Sequence, residues 1–491
     1  MTLSTLIITF AVAGGLLTFL ISQKVKQPKS WLISFLQNFC GVWFIFSGLV
    51  KAVDPMGTAF KMEQYFAAFQ QTFEPTWLGF IAPVFPWMAQ SAVSISILMI
   101  ILEILVGAAL IIGFKPKLTA WVFFLLLVFF TLLTGFTYLT GYVPSNANFF
   151  NFKAWGDFEP LQMRVSDCGC FGDFLKLDPK VSFLKDLGLL VPSIVFLIWT
   201  RLEHQLWTPF TRFLFVLLAG FGSWGFCHYN TYVNEPLWDF RAFRVGSDIA
   251  TTRKTELEAA QQVKIEFAEL KNKQTKAITR ISYPEYMKEF KKYPKEDWDT
   301  KFVYAESMVP KTKVSDFIIL DSSGTDITES LLNEKGYSLM INAYKVHGHV
   351  QEVKTSVSDT AFSDSLVITG MDTLRYRIVK EVVHRESSNS LFTADAVEAA
   401  LFRDQINPLV HGFLDKGVKV FAVTGGLGNS QMRDFAVQTG ARYPIHQADD
   451  ILLKTIMRSN PGLILWKEGK IVDKWHYRHL PSTVTLERKM K

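Results

Sequence analysis

Six apolar stretches in the first half constrain this chain more than any other feature. They cover residues 3–21, 31–50, 91–112, 118–139, 183–199 and 212–227. Each is long enough, or nearly so, for the roughly 20 residues that a helix needs to cross a bilayer. In hydrocarbon every backbone N–H and C=O must bond within its own segment, so such stretches fold as helices and pack as a bundle. The chain-wide apolar fraction of 49% is ordinary only because a polar second half dilutes it. No basic residue precedes the first apolar core, and Ser22-Gln23-Lys24 after it offers no small-x-small cleavage site. A retained span is therefore expected rather than a cleaved leader.

Basic residues in short loops set the orientation. Lys24, Lys26 and Lys29 follow the first span, Lys115 and Lys117 separate the third from the fourth, and Arg201 and Arg212 separate the fifth from the sixth. These loops alternate, so all three can be cytoplasmic. Residues 51–90, 140–182 and everything after Cys227 then lie outside. The formal net charge of +6 is spread without a block of like charge, which excludes a nucleic-acid groove and fits basic membrane loops. Four cysteines exclude a disulfide-rich secreted scaffold.

Two of the four lie in Asp167-Cys168-Gly169-Cys170-Phe171-Gly172, where a polar outer loop returns to the fifth span. The run is either a site of thiol chemistry at the membrane surface or a structural turn that clamps the entry to that span. Thiol exchange needs a thiolate, which cations and helix N-termini favour. Arg164 and the start of the fifth span are the candidates to supply that, while Asp167 and Asp173 oppose it. Glu103 sits near the middle of the third span, where a carboxyl must be neutral or paired. It can serve as a proton relay or cofactor contact, or as an interhelical hydrogen bond that fixes packing. Pro55 ends the second span. Just before it, Lys51 and Asp54 are three apart and able to pair at the lipid–water boundary. Residues 57–69 have apolar side chains at helical spacing and should lie along the interface. Residues 77–87, with Trp77, Trp87 and two prolines, suit a surface-lying or re-entrant piece.

Three motifs carry a resemblance: Phe46-Ser47-Gly48-Leu49-Val50-Lys51, Leu102-Glu103-Ile104-Leu105-Val106-Gly107, and the cysteine run. Residues 31–199 resemble the DoxX-like membrane proteins, and within them the branch of the methylamine-utilisation protein MauE. The resemblance implies a bacterial inner-membrane protein with a four-helix core, to which the first and sixth spans are additions. It implies a distant similarity to thiol oxidoreductases of the vitamin K epoxide reductase and DsbB type, and redox-linked maturation of exported proteins. Cys168 and Cys170 would then be the redox pair, with Glu103 and Arg164 in support. DsbB-type chemistry also implies a quinone cofactor, but it needs two communicating cysteine pairs. Cys40, near the middle of the second span, and Cys227, at the end of the sixth, make no obvious second pair. No cofactor is assigned on that basis.

The second half is polar. Residues 231–310 read as a connecting domain, with strand-like residues 263–267 and charged, aromatic helical stretches around residues 286–298. Beyond them lie two strand signals around Gly324, a buried strand at 337–344, a helix ending at 410–415, a buried strand at 417–424, a helix at 431–440 and a hairpin from Asn460 to Trp475. This is an α/β order. From about residue 313 it resembles the TlpA/ResA-type thioredoxin domains, in which the position of Pro461 is a cis-proline beside the active site. Such domains carry Trp-Cys-x-x-Cys where this chain has Lys345-Val346-His347-Gly348-His349, and no cysteine follows Cys227. This domain cannot exchange disulfides. His347 and His349 would share one face of a strand but lack a clear third ligand, so no metal site is expected. Residues 350–405 exceed what a thioredoxin helix requires and form either an inserted helical subdomain or a binding surface.

The expected architecture is a multi-domain chain: an all-α transmembrane bundle of about six spans plus an extracytoplasmic α/β thioredoxin-like domain. The expected divisions are residues 1–30, 31–200, 201–230, 231–310 and 311–491. The leading functional expectation is thiol–disulfide chemistry at Cys168 and Cys170 in the maturation of envelope proteins. The alternative is a non-catalytic membrane component whose cysteine-less domain binds partners in an envelope or secretion complex. Metal capture by the cysteines and histidines lacks a spacing rule. The bilayer and exported proteins are the expected partners.

Overall fold

The computed structural model describes residues 2–24, 29–165, 167–305, 307, 309–369 and 372–491, with side chains described except at 24 and 352–390. Lys26, used above for orientation, lies outside the described residues. The chain divides into two units, Met1–Arg241 and Ala242–Lys491.

The first unit is helical. Its elements are α1 (Leu3–Lys24), α2 (Trp31–Val53), α3 (Pro55–Phe73), α4 (Val84–Gln90), α5 (Ala92–Ile112), α6 (Pro116–Leu139), α7 (Pro179–Trp199) and α8 (Pro209–His228). Among the described residues six helices are long and apolar enough to cross a membrane, and they match the six apolar stretches of the sequence. Proline at the first helical positions of α3, α6, α7 and α8 explains several of their starts, since its missing N–H is not needed there. α2 packs on α5, α6 on α7, and α1 on α2. The α2–α5 contact is close because glycines face each other across it. A Cβ added at Gly107 would stand 2.7 Å from the Gly41 carbonyl oxygen and 2.8 Å from the Ile45 nitrogen. α1 joins the bundle through the ring of Phe10 against Trp43 and a hydrogen bond from Asn38 Nδ2 to Thr18 Oγ1.

The three basic loops gather at one end of this unit. Lys29 Nζ donates to the carbonyl of Arg201, Arg212 Nη1 donates to that of Gly113, and Gln37 Nε2 donates to Glu203 Oε2. Burial pushes Glu203 up to about 8 and His204 down. α3, the segment expected along the interface, packs against α5 and buries Tyr65, Phe66 and Thr72. Trp77, Phe80 and Trp87, in the broken piece before α5, are exposed. The segment after α8 folds back on this unit: Asn230 Nδ2 donates to the Ala52 carbonyl, and Arg241 bonds Glu235 and Asp239.

The second unit is α/β. It contains α9 (Ile249–Gln262), β1 (Ile265–Asn272), β2 (Ile278–Ser282), α10 (Tyr283–Glu289), β3 (Trp298–Tyr304), α11 (Thr328–Leu332) and β4 (Tyr337–Ala343). There follow β5 (Gly348–Thr369), β6 (Asp372–Ala394), α12 (Ala396–Leu401), α13 (Asn407–Leu414), β7 (Lys419–Thr424), α14 (Asn429–Thr439) and β8 (Ile445–Gln447). The last elements are α15 (Asp450–Ile456), β9 (Gly462–Lys467), β10 (Lys470–His476) and α16 (Thr483–Lys489). A five-stranded sheet has the order β10-β9-β4-β7-β8. β4, β7 and β8 run parallel, and β9 and β10 antiparallel. β4 is central and buried on both faces, as its nearly continuous apolar run requires. Leu339, Ile341, Val420 and Leu465 pack under α13 and α14.

Three expectations are corrected here. The stretch from Phe317 to Thr328 forms no paired strands, only isolated bridges of Leu320 with Asp326, around a left-handed Gly324, and with Gln447. The insertion is not helical over residues 348–369 and 372–394, which are paired antiparallel as β5 and β6. The connecting region is also divided differently. β1, β2 and β3 form their own sheet, whereas α9 belongs with the five-stranded sheet: Ile249 N donates to the Gly469 carbonyl, and Glu256 accepts from Thr312 and Ser315.

Candidate functional site

The cysteine run closes one end of the helical unit as a tight turn. Gly169 has φ +61°, a left-handed conformation that favours glycine. Gly172 N donates to the Gly169 carbonyl, and Phe171 bridges to Leu175. Phe171 is fully buried against Trp43 and Phe46 and plugs the turn into the bundle. Two further bonds fix it: Ser47 Oγ donates to the Cys170 carbonyl at 3.1 Å, and Lys61 Nζ meets Asp167 at 3.2 Å. Both cysteines are free thiols and partly exposed.

That remaining exposure faces a cavity of about 70 Å³ between the helices. Its walls are apolar: Trp43 and Phe44 from α2, Met62 from α3, Leu127, Phe130 and Leu133 from α6, and Leu189 from α7. Its polar lining is charged. Lys51 of α2 lies 2.7 Å from Glu103 of α5, both buried, with the ammonium 4.9 Å from the centre of the Phe130 ring. Lys185 and Asp186 of α7 pair with each other, both buried, and Thr134 Oγ1 donates to Asp186 at 3.0 Å. Two thiols, two buried ammonium–carboxylate pairs and Lys61 thus line one space.

The structure brings Cys168, Cys170, Glu103 and Lys51 together and leaves other candidates elsewhere. Arg164 does not line the cavity. Its guanidinium donates to Thr72 Oγ1 at 2.6 Å and to the Ala147 carbonyl at 3.4 Å, fastening the outer loop. Asp54 caps α3 through Gly57 N at 3.0 Å, while Lys51 turns to Glu103. Cys40 and Cys227 are buried in separate apolar clusters. Lys185, Asp186 and Lys61 were not singled out in the sequence. Two charges inside the apolar run after Pro179 were the signal for the first two.

Burial is the main influence on both thiols. It pushes Cys168 up to about 12, with the Cys170 sulfur, Asp186 and Asp167 adding to the effect and Ser182 opposing it. Cys170 is also raised by burial, with the Lys185 and Lys51 ammonium groups pulling against that and Asp186 and Glu103 adding to it. The two sulfurs therefore differ in their charged neighbours. Carboxylates act against a thiolate at both sulfurs, and at Cys170 the Lys185 and Lys51 ammonium groups act for it.

In the α/β unit the Asn460–Pro461 peptide is cis. Asn460 clasps Lys345 in both directions, Nδ2 to its carbonyl at 2.6 Å and Oδ1 from its N–H at 3.3 Å. His347 donates its backbone N–H to Glu398 Oε2 at 2.9 Å, and its Nδ1 lies 3.0 Å from the same oxygen. Among the described residues no group of three or more His, Cys, Asp or Glu side chains is gathered for a metal.

The six long apolar helices make this a multi-pass membrane protein by build, with an α/β unit after them. Comparison of the chain with known protein families, curated proteins and solved structures finds no match.

Proposed function

We propose that this is a DoxX-like protein of the MauE type in a bacterial inner membrane. In this reading Cys168 and Cys170, on the outer face, carry out thiol–disulfide exchange with exported envelope proteins. One observation carries the reading: the two thiols open into the same cavity as the buried Lys51–Glu103 and Lys185–Asp186 pairs. Buried ion pairs are costly to desolvate and gain little stability over apolar packing, so two of them beside a pair of thiols point to chemistry. The step balances between proteins. Joining the Cys168 and Cys170 sulfurs releases two electrons and two protons, and a disulfide in the client takes them up to become a dithiol.

Mass-tagged thiol trapping in intact cells tests this. Cys168 and Cys170 should appear in both oxidised and reduced states. A Cys168→Ser or Cys170→Ser single variant should hold a client as a mixed disulfide that is absent from the double variant. Thiols that stay reduced, with a double variant that supports full maturation of exported proteins, would end the redox reading.

A second reading has its own support. The strand order β10-β9-β4-β7-β8 with a cis-proline before β9 suits a thioredoxin-like domain, yet the His347–Glu398 contact stands where such domains keep their thiols. The domain would then bind envelope proteins without catalysis. Recovery of the chain alone from several mild detergents would count heavily against it.

A further inference from the structure

Where α6 and α8 begin, the helical unit has another cavity, an open one of about 410 Å³. Its walls include the rings of Phe114, Phe210 and Phe213, and its polar lining is Lys115, Arg212 and Gln205, with no carboxylate. Arg212 is only 8% exposed. Its Nη1 donates to the Gly113 carbonyl at 2.6 Å and to Gln205 Oε1 at 2.7 Å, both neutral acceptors, while its Nε is buried with no acceptor. The Lys115 ammonium stands 5.7 Å from the centre of the Phe114 ring. Among the described residues neither cation is paired with a carboxylate. A buried charge without a counter-ion is costly, and the unbonded edge of a guanidinium fork matches a phosphate. α6 adds its positive end, since it starts at Pro116, also in the lining, with no side-chain cap. The surroundings are those of a lipid–water boundary. Pro116 and Pro209 open two of the apolar spans. Phe210 and Phe213 are exposed, as are Trp121, Trp199 and Trp207 near the same end, the belt position that tryptophan takes in membrane helices.

We propose that this cavity binds the headgroup of an anionic phospholipid, with its phosphate between Arg212 and Lys115 and its acyl chains along Phe210 and Phe213. A soluble phosphate would meet the two cations but leave the exposed rings uncovered. A zwitterionic head would bring its own ammonium toward two unpaired cations. The basic loops assign this end of the bundle to the cytoplasmic leaflet, which is the anionic one. The site is separate from the thiols and does not depend on the redox reading.

Native mass spectrometry of the full chain in an uncharged detergent tests this, with dioleoyl phosphatidylglycerol, dioleoyl phosphatidylcholine or inorganic phosphate added. One phosphatidylglycerol per chain should be retained at concentrations where phosphatidylcholine is not, and excess inorganic phosphate should not displace it. Arg212→Gln should weaken retention by at least about tenfold, the loss of a hydrogen-bonded charge. Arg212 also holds Gly113 and Gln205, so the deciding variant is Lys115→Gln, at an exposed position. There retention should fall about fivefold, with the unfolding midpoint of the lipid-free chain unchanged. Lys117→Gln, exposed and outside the cavity, should leave retention as it is. Equal retention of the two lipids, no loss in Lys115→Gln, or an equal loss in Lys117→Gln would overturn the proposal. Displacement by inorganic phosphate would overturn it too, and would assign the cavity to a soluble anion.

Discussion

Lys51 and Glu103 approach each other from α2 and α5 in a setting where both charges are buried. Removing one partner leaves the other buried and uncompensated, at a cost of about 3–5 kcal/mol, whereas replacing both with apolar groups of similar size is often neutral. Lys51→Met should therefore lower the thermal unfolding midpoint in detergent markedly, and Lys51→Met with Glu103→Met should recover most of the loss. If the double variant is as unstable as the single one, the pair is not the source of the effect. At this scale the sequence was partly readable. Glu103 stood out because a lone carboxyl in the middle of an apolar span has no neutral explanation. Its partner did not, since Lys51 could equally have met Asp54 one helical turn away. The Lys185–Asp186 pair is adjacent in sequence and resembles ordinary charge at a span boundary. Only packing against α6 shows that both side chains point into the bundle. Arg164 was a misleading cation, near the cysteines along the chain but bonded to Thr72 and Ala147.

The glycines of the α2–α5 seam matter to the site because both helices deliver charge to the cavity. Gly107→Ala places a Cβ against the backbone of Gly41 and Ile45, and neither can move without separating the helices. A cost of about 1–3 kcal/mol is expected from such overpacking. Gly188→Ala in α7, where nothing lies within 4 Å, should be neutral or stabilising, since alanine is the better helix former by about 1 kcal/mol. Thermal unfolding of both variants in one detergent gives the comparison, and equal midpoints would refute the seam. Elements were the most legible level. Apolar length alone located six helices, and proline and glycine marked many of their ends. Buried strands such as β4 and β7 announced themselves as short apolar runs. The β5–β6 pair did not, because its residues are mostly polar and its apolar runs short, so only a few residues, such as 374–378, alternate. Residues 317–328 erred the other way. Their strand-like composition serves a turn closed by side chains, with Asp321 Oδ1 accepting from Ser323 and Thr325.

For the whole chain, the decisive quantity is which end of the bundle faces the cytoplasm. Cationic loop residues resist translocation, and the bias is read from short loops near the spans. Lys29, Lys115, Lys117, Arg201 and Arg212 belong to the three loops that cross-bond at one end of the helical unit. By alternation of the helices, the turn carrying Cys168 and Cys170 lies at the other. Orientation should therefore be visible with a membrane-impermeant maleimide on intact cells. The background is a chain in which Cys40, Cys168, Cys170 and Cys227 have been replaced by serine or alanine. Leu161→Cys, at a fully exposed position in the outer loop, should label at once. Lys117→Cys, at the opposite end and also exposed, should label only after the membrane is permeabilised. The reverse pattern would put both thiols in a reducing compartment, where a stable Cys168–Cys170 disulfide is disfavoured, and would remove envelope proteins as clients whatever the chemistry of the cavity.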